Sequence, residues 1–384
     1  MEAITIAEGP VIPEIIGTLV PSIPATRHNI IAPHMPALAP NPVATPNASA
    51  CGSAIIAALT PPKISPISTL SFNFISSPVI IVLYYHKCSY EKSFWSLCYN
   101  SAMKLNEIYG KEDGLKISFE VFPPKGGEVE YPELLKELEC LEKYKPALVS
   151  LTWGASGNNN NSFELIKILN EKYNLMPHLT CVCNNLANIE ELINNIKDCN
   201  IDNILALRGD KPQEADTCHS DFHYANELVR FIKTKSSLSV AVAGYPEGHI
   251  EAVDLSSDID NLKKKVDEGA EAVYTQLFFD NEKFFRYIEL VRKAGINIPV
   301  IPGIMPVISM KQILRMVSMA KITIPAALMQ KFEQYENSPL EMRKFGVDFA
   351  SLQCSELIAS GVKGLHFFTL NKAASTSQIL DNIL

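Results

Sequence analysis

The chain has 384 residues, 47% hydrophobic and 20% charged, which suffices for one large core or two ordinary ones. A net charge of -8, with no stretch that concentrates Lys and Arg among aromatics, argues against a nucleic-acid surface. The nine cysteines are scattered without a CxxC pair, so no metal site is expected and they read as reduced, buried or half-buried thiols.

Residues 1–100 differ from the rest. Twelve of the 25 prolines lie at or before Pro66, and no Asp, Glu, Lys or Arg occurs from His28 to Pro62. Proline at that density breaks helices and interior strands. The segment reads as a Pro/Ala-rich extension, irregular or disordered, outside a catalytic fold over residues 101–384. Glu2, Glu8 and Glu14 precede any basic residue, and Arg27 is the lone arginine there, so neither a signal peptide nor a mitochondrial presequence fits. The uncharged run Ile64–Tyr85 has the length of a membrane span but contains serines, Pro66 and Pro78, so no span is expected. Cytoplasm is the expected location. A wrongly assigned start stays an open reading of this segment.

From about Leu115 short β-rich runs alternate with amphipathic stretches. The runs are Ile117–Phe122, Ala147–Trp153, His178–Val182, Ile204–Leu207, Ser239–Tyr245, Ala272–Phe279, Ile298–Ile301 and Gly364–Leu370. Pro132–Tyr144 places Leu134, Leu135, Leu138 and Leu141 on one helical face, and Asp258–Glu268 does the same with Ile259, Leu262 and Val266 before a Gly269 cap. Eight such units predict a (β/α)8 TIM barrel, with an open doubly wound sheet as the alternative. No GxGxxG follows any run, which weakens a dinucleotide-binding Rossmann unit.

The C-terminal ends of the runs, where barrel enzymes do chemistry, are unusually polar. Side-chain alternation places Glu120 and Ser118 opposite Ile117, Phe119 and Val121, so a carboxylate enters an otherwise apolar strand that Pro123-Pro124 stop. Desolvation raises a carboxyl pKa, which suits a general acid. The same parity pairs Ser150 with Thr152, His178 with Thr180, Arg208 with Asp210, Ala243 with Tyr245 and Tyr274 with Gln276. Small and polar residues there suggest a wide mouth for a flat polar ligand. Gln276, beside Leu277-Phe278-Phe279, could read a heteroaromatic edge. Arg208 offers a fork for phosphate, Lys265 a second positive charge, and Gly209 a close backbone approach.

These stretches resemble the methylenetetrahydrofolate reductase family. They are ISFEVFPPK (117–125), SLTWGASG (150–157), PHLTCV (177–182), NILALRGDKP (203–212), VAGYPEGHIEA (242–252), NLKKKVDEGAEAVYTQLFFD (261–280), IPVIPGIMPV (298–307) and LHFFTLN (365–371). All eight occur in order over the regular region, and the likeness is to the short bacterial type without a C-terminal regulatory domain. The resemblance implies noncovalent FAD, reduced by NADH or NADPH, which then reduces 5,10-methylenetetrahydrofolate to 5-methyltetrahydrofolate. By that resemblance Glu120 assists ring opening by acid catalysis, Asp210 tunes flavin and pterin, and Gln276 contacts substrate and nicotinamide. The implied FAD contacts are Thr152, Trp153, Ala155, His178, Arg208, Gly209, Asp210, Tyr224, Ala225, Ala243, Tyr245, His249, Asp258, Asn261 and Lys265. Gln312 matches a substrate-contacting glutamine. Lys372 stands where bacterial members usually carry an arginine that pairs with the folate glutamate. The loop Asn158–Asn161 and Met316 also depart from the family's usual residues. A homo-oligomer is the expected assembly.

Two other readings compete. A phosphate-binding lyase on the same barrel would need a Gly-rich loop after a late strand, where Pro302-Gly303 is the candidate. A flavoprotein reduced by a partner subunit would keep FAD and refuse NAD(P)H.

Overall fold

The computed structural model describes residues 103–152, 162–210, 219–320 and 322–384. The extension over residues 1–100, the run Ile64–Tyr85, Trp153, Ala155 and the loop Asn158–Asn161 lie outside the described residues. In chain order the elements are α1 (Leu105–Gly110), β1 (Lys116–Val121), α2 (Tyr131–Glu139), β2 (Leu148–Leu151), α3 (Ser162–Asn170), β3 (Leu175–Thr180), α4 (Leu186–Asp198), β4 (Asn203–Leu207), α5 (Ala225–Lys235), β5 (Ser239–Gly244), α6 (Leu255–Asp267), β6 (Ala272–Leu277), α7 (Asn281–Lys293) and β7 (Val300–Ile304). Three helices follow, α8 (Met310–Met319), α9 (Ala326–Tyr335) and α10 (Pro339–Ala359), then β8 (Gly364–Phe368) and α11 (Ala373–Ile383). All strands are parallel, and β8 pairs with β1, so the sheet closes into the expected barrel and the open-sheet alternative fails.

Strand alternation divides the core in two. Ile117, Phe119, Val121, Val149 and Leu151 pack outward against the helices in one large cluster. Leu148, Met176, Leu205, Ala241, Ala272, Tyr274 and Ile301 form a separate cluster with Leu105, Ile108 and Tyr109 of α1. That second set fills the barrel floor, and α1 closes it. A third cluster joins Leu277, Phe279, Met305 and Val307 to Met310, Ile313, Ile322, Leu328 and Phe332, so α8 and α9 form an arm beside the ends of β6 and β7.

Local chemistry sets the element ends. Asp254 caps α6 by accepting from Ser257 N at 2.7 Å, so the helix starts three residues before the expected Asp258. Gly269 follows it at φ 111, as read from the sequence. The stretch expected as one helix to Tyr144 breaks after Glu139, and Glu142–Tyr144 is a 3-10 turn ahead of left-handed Lys145 and Pro146. Strand β3 begins three residues before the expected His178. Pro177 is its last residue paired with β2, and His178 the first paired with β4, so the missing N–H costs little of either ladder. Pro302 and Gly303 lie inside β7 rather than in a loop, which removes the phosphate loop that a lyase reading needs.

Among the described cysteines, Cys140, Cys181, Cys199 and Cys354 are free thiols, whereas Cys183 is disulfide-bonded, so the expectation of reduced thiols throughout fails there. Among the described residues no cluster could hold a metal ion, and no helix is long and apolar enough to cross a membrane.

Candidate active site

The inward face of the barrel carries a polar layer above the apolar floor. Glu120 of β1 is 7% exposed. Its Oε2 lies 3.6 Å from Nε2 of His178 on β3 and 3.5 Å from Nε2 of His366 on β8, and its Oε1 accepts from Thr152 Oγ1 at 3.0 Å. Strands β1 and β3 are not neighbours in the sheet, so this contact crosses the interior. His178 Nε2 is also hydrogen-bonded to Ser150 Oγ at 2.7 Å, and His366 Nδ1 to Ser118 Oγ at 2.9 Å. The alternation read from the sequence therefore places Ser118, Glu120, Ser150 and His178 in one cluster.

The expected protonation of Glu120 needs correction. Burial works to raise its carboxyl, but the His178 and His366 imidazoles and the Thr152 hydroxyl outweigh burial and hold it below the ordinary carboxylate value. Burial, in turn, pushes the His178 imidazole down, with Glu120 opposing. The sequence showed a carboxylate in an apolar strand but not the partners that three other strand segments bring within reach of it. In this state Glu120 is a carboxylate.

The loop after β8 fixes the backbone beside it. Thr369 Oγ1 donates to Glu120 O at 2.7 Å, while Asn371 brackets Phe122, accepting from its N–H and donating to its carbonyl, both at 2.8 Å. Asn371 has φ 59, a left-handed conformation that asparagine tolerates.

The motif Arg208-Gly209-Asp210 leaves β4 and enters the mouth. Gly209 has φ +87, and a Cβ there would stand 2.6 Å from Val182 Cγ1 and 3.2 Å from Thr180 Cβ, so backbone strain and packing both demand glycine. Arg208 presents its fork to Glu251, with both guanidinium NH groups on the carboxylate, one at 2.9 Å. Asp210 is exposed.

Two adjoining cavities open here. A cleft of about 470 Å³ runs between β4, β5 and α6, lined by Arg208, Tyr224, Ala225, Ala243, Tyr245, His249, Asp258, Asn261 and Lys265 among others. A smaller one, about 160 Å³, is lined by Thr152, His178, Gly209 and Asp210, and shares Arg208, Tyr245 and His249 with the first. Every described residue in the FAD set implied by resemblance lines one or the other. Lys265 Nζ donates to Ala243 O at 2.6 Å, and burial pushes its amine down to about 8 although Asp258 opposes this. Tyr245 and His249 stack edge to face with ring centroids 4.8 Å apart.

The residues implied for substrate are more dispersed. Gln276 sits at a register shift in β6, lines neither cavity, and turns its Oε1 back to accept from Leu277 N at 2.9 Å. An amide facing a ring edge was expected, and in this structure its oxygen is already used. Gln312 lies on α8 with both amide atoms buried and without a partner among the described residues. Buried amides are normally satisfied, so this one is suited to a ligand. Lys372 is the N-cap of α11, with its ammonium 2.7 Å from Glu133 and 3.2 Å from Glu137.

Two participants were not singled out from sequence, His366 and Glu251. The alternation that marked Glu120 reaches His366 through the register Ser118↔His366. No local signal pairs Glu251 with Arg208, 43 residues earlier.

Comparison with known proteins adds an independent finding. The family model described as methylenetetrahydrofolate reductase matches residues 104–384. Methylenetetrahydrofolate reductase (NADH) 1 of Arabidopsis thaliana is 36% identical over 285 residues, covering 69% of this chain and 48% of the relative. The 5,10-methylenetetrahydrofolate reductases of Pectobacterium carotovorum and Escherichia coli are 34% and 35% identical, with 92% and 90% of their lengths covered. The chain thus spans about half the length of the plant relative and nearly all of the bacterial ones. Among solved structures, an uncharacterised protein from Clostridium thermocellum that binds two copies of 5-methyl-5,6,7,8-tetrahydrofolic acid superposes with a TM-score of 0.54 at 13% identity, covering 73% of this chain and 98% of that one. That likeness is one of fold.

Proposed function

The chain belongs to the methylenetetrahydrofolate reductase family, and from that premise we propose that it binds FAD noncovalently and reduces 5,10-methylenetetrahydrofolate to 5-methyltetrahydrofolate with NADH or NADPH. What carries the reading is the coincidence of the implied flavin contacts with two adjoining cavities at the polar end of a barrel. The cleft also fits the group chemically. Arg208 and the half-buried Lys265 supply cations for a diphosphate, Gly209 permits close backbone approach, and Asp258 and Asn261 offer polar atoms for a ribose.

Bound FAD supplies hydride chemistry, carrying two electrons from the nicotinamide to the folate. The remaining work falls to the protein. Glu120 sits in the polar layer above the apolar floor, and a folate lying over it would exclude water and strengthen the burial that raises its pKa. A proton gained in that way stands ready for the departing folate nitrogen during ring opening. Asp210 sets negative charge at the mouth, which favours cationic character on the folate. Gln312 offers the pterin both halves of an amide that has no partner among the described residues.

The test is spectroscopic. FAD-loaded protein should be yellow and should bleach on anaerobic addition of NADH or NADPH. Its colour should return with 5,10-methylenetetrahydrofolate, giving 5-methyltetrahydrofolate. A protein that cannot be loaded with FAD refutes the reading. One that binds FAD but is bleached by neither nucleotide favours the partner-reduced alternative.

A further inference from the structure

We propose that Glu247 is a positioning residue that fastens the arm of α8 and α9 to the loop after β5, and thereby sets the folate side of the mouth. What the arm holds rests on the folate reading above; the fastening does not.

Glu247 lines neither of the two cavities described above. It lies between Tyr245 and His249 on the loop that walls the cleft, and its side chain is 9% exposed. Its two carboxylate oxygens accept from Thr323 N at 3.1 and 3.2 Å. Oε2 also accepts from Thr323 Oγ1 at 2.6 Å and from Lys283 Nζ at 2.5 Å. Three elements thus converge on one carboxylate: the β5 loop, the first turn of α7, and the connection from α8 to α9. An exposed ion pair between flexible side chains would fix little. Here the Glu247 carboxylate itself is only 9% exposed and takes a backbone N–H, so it ties its side chain to the main chain at Thr323.

The arm needs such a pin. Its own contacts with the barrel are apolar, made by Met310, Ile313, Ile322 and Phe332 against Leu277, Phe279 and Met305. Apolar burial is non-directional, so it leaves α8 free to shift along its contact face. Residues 305–309 connect the N-terminal end of α8 to β7. Glu247 holds the far end through Thr323, and Gln312, whose amide has no partner among the described residues, rides between the two. A displacement of about 1 Å would misplace the Gln312 amide for the substrate, and a contact made equally in ground and transition state is read in KM.

Amide exchange followed by mass spectrometry and steady-state kinetics test this on full-length, FAD-loaded protein. In Glu247→Ala the peptide containing Thr323 should exchange about tenfold faster or more. The folate KM should rise about tenfold while kcat falls less than about threefold and flavin reduction by the nicotinamide stays within about twofold. Glu247→Gln, which keeps one oxygen for Thr323, and Thr323→Val, which keeps the N–H, should shift KM in the same direction by less, and they cover the case of an alanine variant that folds poorly. Unchanged exchange at Thr323 overturns the fastening. Equal losses in flavin reduction and folate turnover overturn the positioning role. Faster exchange in a protein whose wild type reduces no folate refutes the folate reading and leaves the fastening standing.

Discussion

Lys265 allows the proposed flavin site to be tested without any turnover. Its ammonium is pushed by burial to about 8 from the ordinary 10.5, while it donates to Ala243 O and faces Asp258. A depression of that size means that the folded, ligand-free protein pays about 3 kcal/mol to keep Lys265 charged at neutral pH. Replacing it with Met removes that penalty and forfeits one hydrogen bond worth about 1 kcal/mol. The expected net is a gain of about 1–2 kcal/mol, or about 2–8 °C in Tm for a domain of this size. The pH dependence gives the sign independently. Below pH 8 both folded and unfolded Lys265 are protonated and the penalty is complete. Between pH 8 and 10.5 the unfolded chain binds the proton and the folded one does not, so wild-type stability rises with pH across that window. Lys265→Met should lose that rise. FAD affinity should move the other way, falling about tenfold to 100-fold with the loss of one charge-assisted contact to phosphate. Calorimetry of the apoprotein from pH 6 to 10 and a fluorescence titration with FAD read the two effects. A variant less stable than wild type at pH 7, with the alkaline rise intact, would refute the assignment of a costly buried charge.

Other outcomes follow from the same geometry. Glu120→Gln should retain FAD and its reduction by NAD(P)H while folate-dependent reoxidation falls by about 100-fold or more, as stopped-flow traces of the two half-reactions would show; equal reoxidation rates would remove Glu120 from the acid role. Gly209→Ala forces a left-handed backbone and a 2.6 Å contact on Val182, so FAD content after purification should drop sharply, with melting lowered by about 1–3 kcal/mol equivalent. Glu251→Gln frees the Arg208 fork and should tighten FAD binding about two- to fivefold, an effect that shrinks as salt rises in a titration series.

The barrel and the position of Glu120 were both legible because each rests on a period. A repeat of two along a strand decides which side chains face inward, and it survives any error in where the strand begins. His178 entered the cluster correctly although its strand starts three residues earlier than the pattern suggested. Boundaries were less legible where a side chain far from the pattern sets them, as Asp254 does for α6 and Pro146 for the end of the α2 region. Strand alternation marked Arg208, Ala243 and Tyr245, but the cleft residues outside the strands carried no period. Tyr224, His249 and Asn261 lie on three different segments, and the family resemblance alone joined them before the structure placed them on one wall.

Charge state was the least legible property, for a physical reason. A strand pattern reports burial, which always raises a carboxyl. It does not report what the opposite strands contribute, and for Glu120 that contribution is two imidazoles and a hydroxyl from three other strand segments. The sign of the shift therefore depends on contacts between residues up to 246 positions apart. This separation also explains how one group can serve both halves of the proposed cycle. With water at the mouth, the neighbouring imidazoles keep Glu120 ionised. Once a flat ligand covers the layer, desolvation strengthens and the balance moves toward the protonated form. Proton uptake should then accompany folate binding, and in a weakly buffered solution near pH 6 the uptake measured with an indicator dye should vanish in Glu120→Gln.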